Sequence, residues 1–288
     1  MKSKKILLQL DSDRHASSFD AIAAYEAGVD QVLSFGGVGL DDLPKLVYGA
    51  VFTRSREALR DTAIYIGGSS VPLGEAMLKT ICEKIFFDSK RVSVMADPNG
   101  SNTTAAAAVV KIGRVVSLSG KRAVVLAGSG PVGVRTAALL AKEGCHVALT
   151  SRRLERAQEA RRLVRERFGL EVEPVETRDE AGMRSVLQGA DIALGAGAAG
   201  AALIHEDLWA SNPTLEAVVD TNAVPPLGIG GVDALDNGAL RHGKLVFGAL
   251  AVGLLKMKIH LAALASLFER NDRVLDLEEL YEIGKTLE

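Results

Sequence analysis

Cysteine is nearly missing from this chain of 288 residues, which has only Cys82 and Cys145. Both lie in apolar sequence and read as buried thiols of a reducing cytosol rather than a disulfide pair. Histidine is as sparse: His15, His146, His205, His242 and His260 are scattered, none at ligand spacing from Cys or Glu. No metal centre is therefore expected. An excess of charge of one sign is lacking too. A net charge of −2 and a pI near 6.3 argue against nucleic acids as partners. The start, MKSKKILLQLDSD, is basic, but its apolar run is too short for a signal peptide and ends in acids. The most apolar late segment, Phe247 to Phe268, carries Lys256, Lys258 and His260, which argues against a membrane span. A soluble, cytoplasmic protein with no membrane partner is expected.

Several chemistries lack their residues. There is no GxSxG elbow, no Walker lysine, and no tyrosine–lysine pair of the short-chain reductase type over 117–247. Aromatic residues are only 5% of the chain while glycine contributes 29 residues, a balance that suits close helix–sheet packing. Apolar strands alternate with amphipathic helices, the pattern of βαβ units and parallel sheets. The expected fold is α/β, and the length allows two domains. The expected division is an N-terminal parallel-sheet domain over 1–116, a Rossmann-type domain over 117–247, and a C-terminal helical segment, 248–288, returning to the first.

In the first domain, strands are expected at Ile6–Leu10, Gln31–Ser34, Ala63–Ile66 and Arg91–Met95. Helices are expected at Ser18–Ala27, Asp41–Tyr48, Leu73–Phe86 and Thr103–Val116. The loop Gly67-Gly68-Ser69-Ser70 follows the third strand, and Asp97 to Thr104 follows the fourth. Ligands of open parallel sheets sit beyond the carboxyl ends of the strands, so both loops are placed to face a cleft.

The most informative stretch is KRAVVLAGSGPVGVRTAALLAKEGCHVALTSRR, Lys121 to Arg153. An apolar strand (Ala123–Ala127) enters the turn Gly128-Ser129-Gly130-Pro131-Val132-Gly133. An Ala/Leu-rich helix and a second strand, His146–Leu149, complete the unit. In this dinucleotide fingerprint Gly128 would supply the tight turn. Gly130 would let backbone approach a pyrophosphate, and Gly133 would let helix and strand pack closely. The phosphates would sit on free N–H groups at the helix N-terminus. NAD sites usually end the second strand with Asp or Glu, to hold the ribose 2′-hydroxyl. Here the residues are Thr150-Ser151-Arg152-Arg153, whose hydroxyls and guanidinium groups suit a 2′-phosphate. The cofactor reads as NADP. The alternative for both arginines is a basic first turn on an exposed helix, since LERAQEARRLVRER continues the charge pattern.

Further strands are expected at Glu171–Val175, Asp191–Leu194 and Ala217–Val219, with a helix at Glu155–Phe168. The loops after them hold Ala196 and Asn222, at the edge of a Rossmann sheet that approaches the nicotinamide half. A long helix from Gly248 to Phe268 closes the pattern.

An ordered series of motifs identifies the chain as similar to the NADP-dependent methylene-tetrahydromethanopterin dehydrogenases of methylotrophic and related bacteria. The series comprises Asp11–Asp13 with Ser17–Asp20, Tyr65–Gly68, Ala96–Ala107, the fingerprint, Asp220–Ala234 and Gly248–His260. The resemblance covers almost the whole length. It implies hydride transfer from a methylene-pterin to NADP in one-carbon metabolism, on the route from formaldehyde to formate, by a homo-oligomer, trimeric or hexameric. The donor carbon bridges two nitrogens whose lone pairs expel the hydride, so no proton leaves and no general base is needed. Catalysis would rest on holding donor carbon and nicotinamide C4 roughly 3–3.5 Å apart.

The resemblance also implies roles. Asp97, Asn99, Ser101, Asn102 and Thr103 would help bind the pterin, although Ser101 or Asn102 could equally cap the following helix. Asp20 could accept hydrogen bonds from the amino-pyrimidine edge, or be an ordinary first-turn acid. Lys256 interrupts an apolar segment, where an ammonium is costly unless paired. It would donate to a pterin carbonyl near the reaction centre as the catalytic residue; the alternative is a snorkelling lysine at an edge. Two rivals stand beside this reading. One is a methylene-tetrahydrofolate dehydrogenase; hydrolase activity of the folate type is disfavoured, since Tyr25 and Tyr48 are followed four residues later by Val29 and Phe52 rather than lysine. The other is a non-catalytic NADPH sensor.

Overall fold

The computed structural model describes residues 3–287. The chain divides into two compact units. One comprises the residues up to Thr103 together with those from Met257 onward; the other is Thr104–Lys256.

The first unit is built on β1 (Ile6–Asp11), α1 (Ser18–Glu26), β2 (Gln31–Phe35), α2 (Leu43–Phe52), β3 (Thr62–Gly67), α3 (Val71–Thr80), β4 (Ser93–Ala96) and the start of α4 (Ser101–Gly113). Its sheet has the order β12-β4-β3-β1-β2, where β12 is the short late strand Val274–Leu275. Every pairing is parallel. All six residues of β3 are buried, as befits a central strand covered on both faces. Leu10, Ile64, Ile66, Val94, Leu43, Val47, Met77 and Ile81 form one core. Each such side chain contributes about 1.5–3 kcal/mol on burial. The helix expected over Leu73–Phe86 is α3 followed by a wider π-turn, Ile81–Ile85.

The 2-1-3 order places the reversal of winding between β1 and β3, whose carboxyl ends are Asp11 and Gly67. Such a switch point leaves the crevice in which open α/β sheets bind ligands.

The second unit continues α4 into β5 (Arg122–Leu126), α5 (Pro131–Lys142), β6 (His146–Ser151), α6 (Leu154–Phe168), β7 (Glu173–Glu176), α7 (Glu180–Leu187), β8 (Ile192–Gly195), α8 (Glu206–Ala210) and β9 (Ala217–Asp220). It ends with a hairpin that periodicity did not predict, β10 (Asn237–Arg241) and β11 (Lys244–Phe247). β10 is a partly exposed edge strand without an apolar run, whereas β11 is mostly buried and carries only the short run Leu245–Phe247. The order β10-β11-β9-β8-β5-β6-β7 is that of a Rossmann sheet with one antiparallel edge strand. Local chemistry sets the helix ends: Gly169, at φ 67°, terminates α6 through its N–H to the Arg165 carbonyl.

The chain passes between the units inside α4 and again inside α9 (Ala249–Ser266). By length and mean hydropathy (1.5) α9 could cross a membrane. Ala251, Val252, Leu255, Ile259, Ala263 and Leu264 are nonetheless buried within the protein, and Lys256, Lys258 and His260 lie among them. Helix α10 (Leu277–Thr286) follows, closed at its start by the capping box of Asp276 and Glu279.

Candidate active site

In the first unit the carboxyl ends of β1, β3 and β4 carry a buried polar cluster. Asp11 ends β1, and its carboxylate accepts the N–H of Asp13 at 2.8 Å and of Ser17 at 2.9 Å, folding the loop back on the strand. Ser17 then caps α1 by accepting the Asp20 N–H at 3.2 Å. This places Asp20 on the first turn with its side chain toward β3, where the Tyr65 hydroxyl hydrogen-bonds to it. Gly67 and Gly68 end β3. Gly68 adopts φ 93°, and a Cβ there would fall 2.1 Å from Ser12 Oγ. The loop after β4 is tied to this turn by the Asn99 N–H, which donates to the Gly68 carbonyl at 2.7 Å.

Asp97 caps α4. Its carboxylate accepts from the N–H of Asn102 (2.9 Å) and Thr103 (3.2 Å) and from the Thr103 hydroxyl (2.5 Å). The cap is thus Asp97, rather than the Ser101 or Asn102 side chain that the sequence offers. Ser101 Oγ donates to the Pro98 carbonyl, and Asn102 Nδ2 donates to Ala96 O and Asp276 Oδ1. All four side chains are buried, whereas Asn99 is exposed in a left-handed conformation, φ 58°.

Between Asp20 and Asp97 stands His260 of α9, fully buried. Its Nε2 is 3.7 Å from Asp20 Oδ1 and its Nδ1 is 3.6 Å from Asp97 Oδ2. The imidazole meets the Tyr65 ring edge-on, with centroids 5.6 Å apart. Burial pushes the Asp20 carboxyl up, an effect that His260 partly offsets. Burial, then the Asp20 and Asp97 charges, hold the Tyr65 hydroxyl well above its usual value, so it remains a donor. Sequence reasoning missed His260 because it lacks metal-type spacing. Its signal is a polar ring inside an apolar helix, one turn past Lys256. That lysine is half-buried on the same face of α9.

In the second unit the fingerprint residues occupy the carboxyl end of β5. The left-handed residue of the turn is Ala127, at φ 51°, not Gly128. Gly128 is required for space instead: its Cβ would lie 2.8 Å from Leu149 and 3.0 Å from Val125. A Cβ on Gly133 would lie 2.4 Å from the Gly128 Cα, so α5 starts against the backbone of the turn. A Cβ on Gly130 meets nothing within 4 Å, and the space beside that residue is open to a ligand. Pro131 opens α5 without needing an N–H partner. Gly130, Ser129 and Val132 are partly exposed there.

Thr150 is buried and Ser151 nearly so. Thr150 Oγ1 accepts the Ala127 N–H at 3.1 Å, and its carbonyl accepts the Gly128 N–H at 2.8 Å, so it braces the turn. Arg152 and Arg153 are exposed at the end of β6. At the next strand ends, Ala196 is buried after β8, and Asn222 after β9 organises its loop. The Asn222 side-chain oxygen accepts from Gly200 N and Val224 N, and its Nδ2 donates to Pro226 O. Asp220, also missed by sequence, closes that loop by accepting from the N–H groups of Asn222 and Ile229. Burial raises its carboxyl, and those N–H groups partly offset the rise.

Residues 18–99 match the family model described as methylene-tetrahydromethanopterin dehydrogenase, N-terminal. The chain is 44% identical over 287 residues to the bifunctional protein MdtA of Methylorubrum extorquens, with 99% of each chain covered. It is 33% identical over 293 residues to the NAD(P)-dependent methylenetetrahydromethanopterin dehydrogenase of the same organism, with 98% of each covered. The chain belongs to the methylene-tetrahydromethanopterin dehydrogenase family. Among solved structures, quinate dehydrogenase from Corynebacterium glutamicum in complex with NAD aligns over 99% of this chain and 100% of its own, with TM-score 0.56 and 15% identity. The ligand-free 5-ketofructose reductase of Gluconobacter aligns over 98% of each chain, with TM-score 0.52 and 15% identity. These two share the fold. In this family member, the matched region contains Asp20, Tyr65 and Asp97, and His260 joins them from the C-terminal part of the chain.

Proposed function

We propose that the chain is an oxidoreductase that transfers a hydride from methylene-tetrahydromethanopterin to NADP, forming the methenyl product and NADPH. The observation that carries this reading is the full-length match to a relative named for that activity. NADP, when bound, supplies the hydride acceptor.

The fingerprint fits such a cofactor because Gly130 leaves open space where a side chain would stand. The N–H groups at the start of α5 would hold the pyrophosphate. Ser151, Arg152 and Arg153 would hold the 2′-phosphate; β6 itself ends without a carboxylate, and the neighbouring Glu176 is engaged by the Leu154 N–H. Thr150 and Asn222 keep the loops that flank the cofactor in shape, and Ala196 lies beside them.

The first unit is the pterin side in this reading. Asp20 is the cluster's partly open carboxylate, with a side-chain exposure of 15%, and would accept N–H donors of the amino-pyrimidine edge. Asp97, Ser101, Asn102 and Thr103 shape the floor beneath it, and Asn99 is the exposed member of that loop. Lys256 would donate to a pterin carbonyl. None of these groups has to remove a proton, in keeping with a step that releases only hydride.

We also infer a homo-oligomer in a reducing compartment. Tyr48, Phe52 and Phe87 form an exposed aromatic run with centroids 5.6 and 5.8 Å apart, a surface suited to association. Both cysteines are free thiols.

The test is absorbance at the NADPH band with purified protein, NADP and methylene-tetrahydromethanopterin, with methylene-tetrahydrofolate and NAD in parallel. Fast reduction with the methanopterin and NADP is the expected result. Equal activity with both pterins would make this a broader one-carbon dehydrogenase. Binding of NADPH without turnover of either pterin would overturn the catalytic reading in favour of a sensor.

A further inference from the structure

His260 is fully buried, yet neither ring nitrogen has a hydrogen-bond partner. Each nitrogen instead faces one carboxylate oxygen at 3.6–3.7 Å, roughly half an ångström beyond hydrogen-bond length. The two carboxylates differ in mobility. Asp97 is pinned by three donors and completely enclosed. Asp20 is the only member of the trio with solvent access, and it stands at the switch point of the sheet. The arrangement therefore runs from a fixed anchor, through an imidazole, to a carboxylate that opens on the ligand side.

We propose that His260 is a positioning residue for the pterin: held on Asp97 through Nδ1, it presents Nε2 to Asp20 and keeps that carboxylate aimed at the substrate's N–H donors. The proposal rests on the reading of Asp20 as a pterin contact.

Proton counting sharpens it. A neutral imidazole carries one N–H, so one of its two nitrogens would direct a lone pair at a carboxylate oxygen. With both nitrogens carrying hydrogen the ring would donate to each carboxylate, so that one imidazole side chain ties Asp20 to the fixed Asp97. The titratable groups facing the ring are Asp20 from α1, Asp97 from the loop after β4 and Tyr65 from β3. Asp11 at the end of β1 adds its charge to Tyr65, and Lys256 and Lys258 precede the ring on α9.

The experiment is steady-state kinetics on the whole enzyme for wild type, His260→Gln, Asp20→Asn and the double variant. His260→Gln should raise the pterin KM roughly ten-fold, while the NADP KM and kcat stay near wild type. Asp20→Asn should show the same loss, and the double variant no further loss, because the two residues act as one unit. A normal pterin KM in His260→Gln beside a raised one in Asp20→Asn overturns the positioning role alone. A normal pterin KM in Asp20→Asn overturns the reading of Asp20 and this proposal with it. Parallel losses for pterin and NADP with a lowered Tm would make His260 a packing residue only. Should His260→Gln fail to fold, NMR of wild-type enzyme carrying 15N-labelled histidine decides. One imidazole signal should move on adding methylene-tetrahydromethanopterin and stay put on adding NADP; no response to the pterin overturns the proposal.

Discussion

A Cβ on Gly133 would lie 2.4 Å from the Cα of Gly128 and 2.5 Å from its carbonyl oxygen. The obstacle is backbone, not a flexible side chain, so Gly133→Ala must push α5 away from the turn. Overpacking of this kind costs about 1–3 kcal/mol. The variant should melt several degrees lower and lose NADP affinity by more than ten-fold. Gly130→Ala is the control: its Cβ meets no protein atom within 4 Å, so its Tm should be unchanged while NADP binding falls. Equal melting temperatures for the two variants would refute the packing account.

Arg152 is exposed at the end of β6, whose own residues carry no carboxylate, although Glu176 of the neighbouring strand accepts the Leu154 N–H at 3.1 Å. A charge-assisted hydrogen bond contributes about 1.5–3 kcal/mol. Arg152→Ala should therefore weaken NADP binding roughly ten- to a hundred-fold and leave NAD almost untouched. Titration of both cofactors by calorimetry checks this, and equal losses would return Arg152 to being a solvated helix-start residue.

The parallel strands were legible because central strands of such sheets are continuous apolar runs. β1, β3, β5, β6, β8 and β9 all lie within one or two residues of where hydropathy puts them. The hairpin of β10 and β11 was not, since the half-exposed edge strand β10 carries no such run and β11 carries only the short Leu245–Phe247. The glycine turn was visible as a motif, but its strained residue is Ala127, which nothing in the pattern marks. Asp20 and Asp97 could be picked out because they stand at strand or helix ends. His260 could not, because its partners lie 240 and 163 positions earlier in the chain, a proximity that only the parallel topology creates.

Lys256 lies one turn before His260 on α9 and is half-buried. If its ammonium donates to a pterin carbonyl near the reacting carbon, Lys256→Ala should cut kcat at least ten-fold, about 1.4 kcal/mol of transition-state stabilisation. Lys256→Met separates charge from packing by keeping an unbranched apolar stem. Met and Ala variants that are equally slow would assign the effect to the charge. Near-normal turnover in both would leave Lys256 a structural lysine.

Asp20 should show function opposed to stability, and the sign follows from its surroundings. Burial raises its carboxyl above the ordinary value of 3.8, a rise that His260 and the Tyr65 hydroxyl reduce but do not cancel. Below that ordinary value the group is protonated in both folded and unfolded chains and contributes nothing to the pH dependence. As pH rises through it, the unfolded chain loses its proton first, and the folded state is progressively disfavoured until its own carboxyl ionises. Once the folded carboxyl has ionised too, the penalty no longer changes with pH. Asp20→Asn keeps the shape and removes the charge, so its Tm should exceed wild type by a few degrees at neutral pH, with the gain vanishing toward pH ~3. The same variant should bind pterin poorly, since the amide replaces one accepting oxygen with an NH2 that faces an N–H donor, and removes the charge. A Tm difference that persists unchanged into acid would show that the stabilisation does not come from the buried charge.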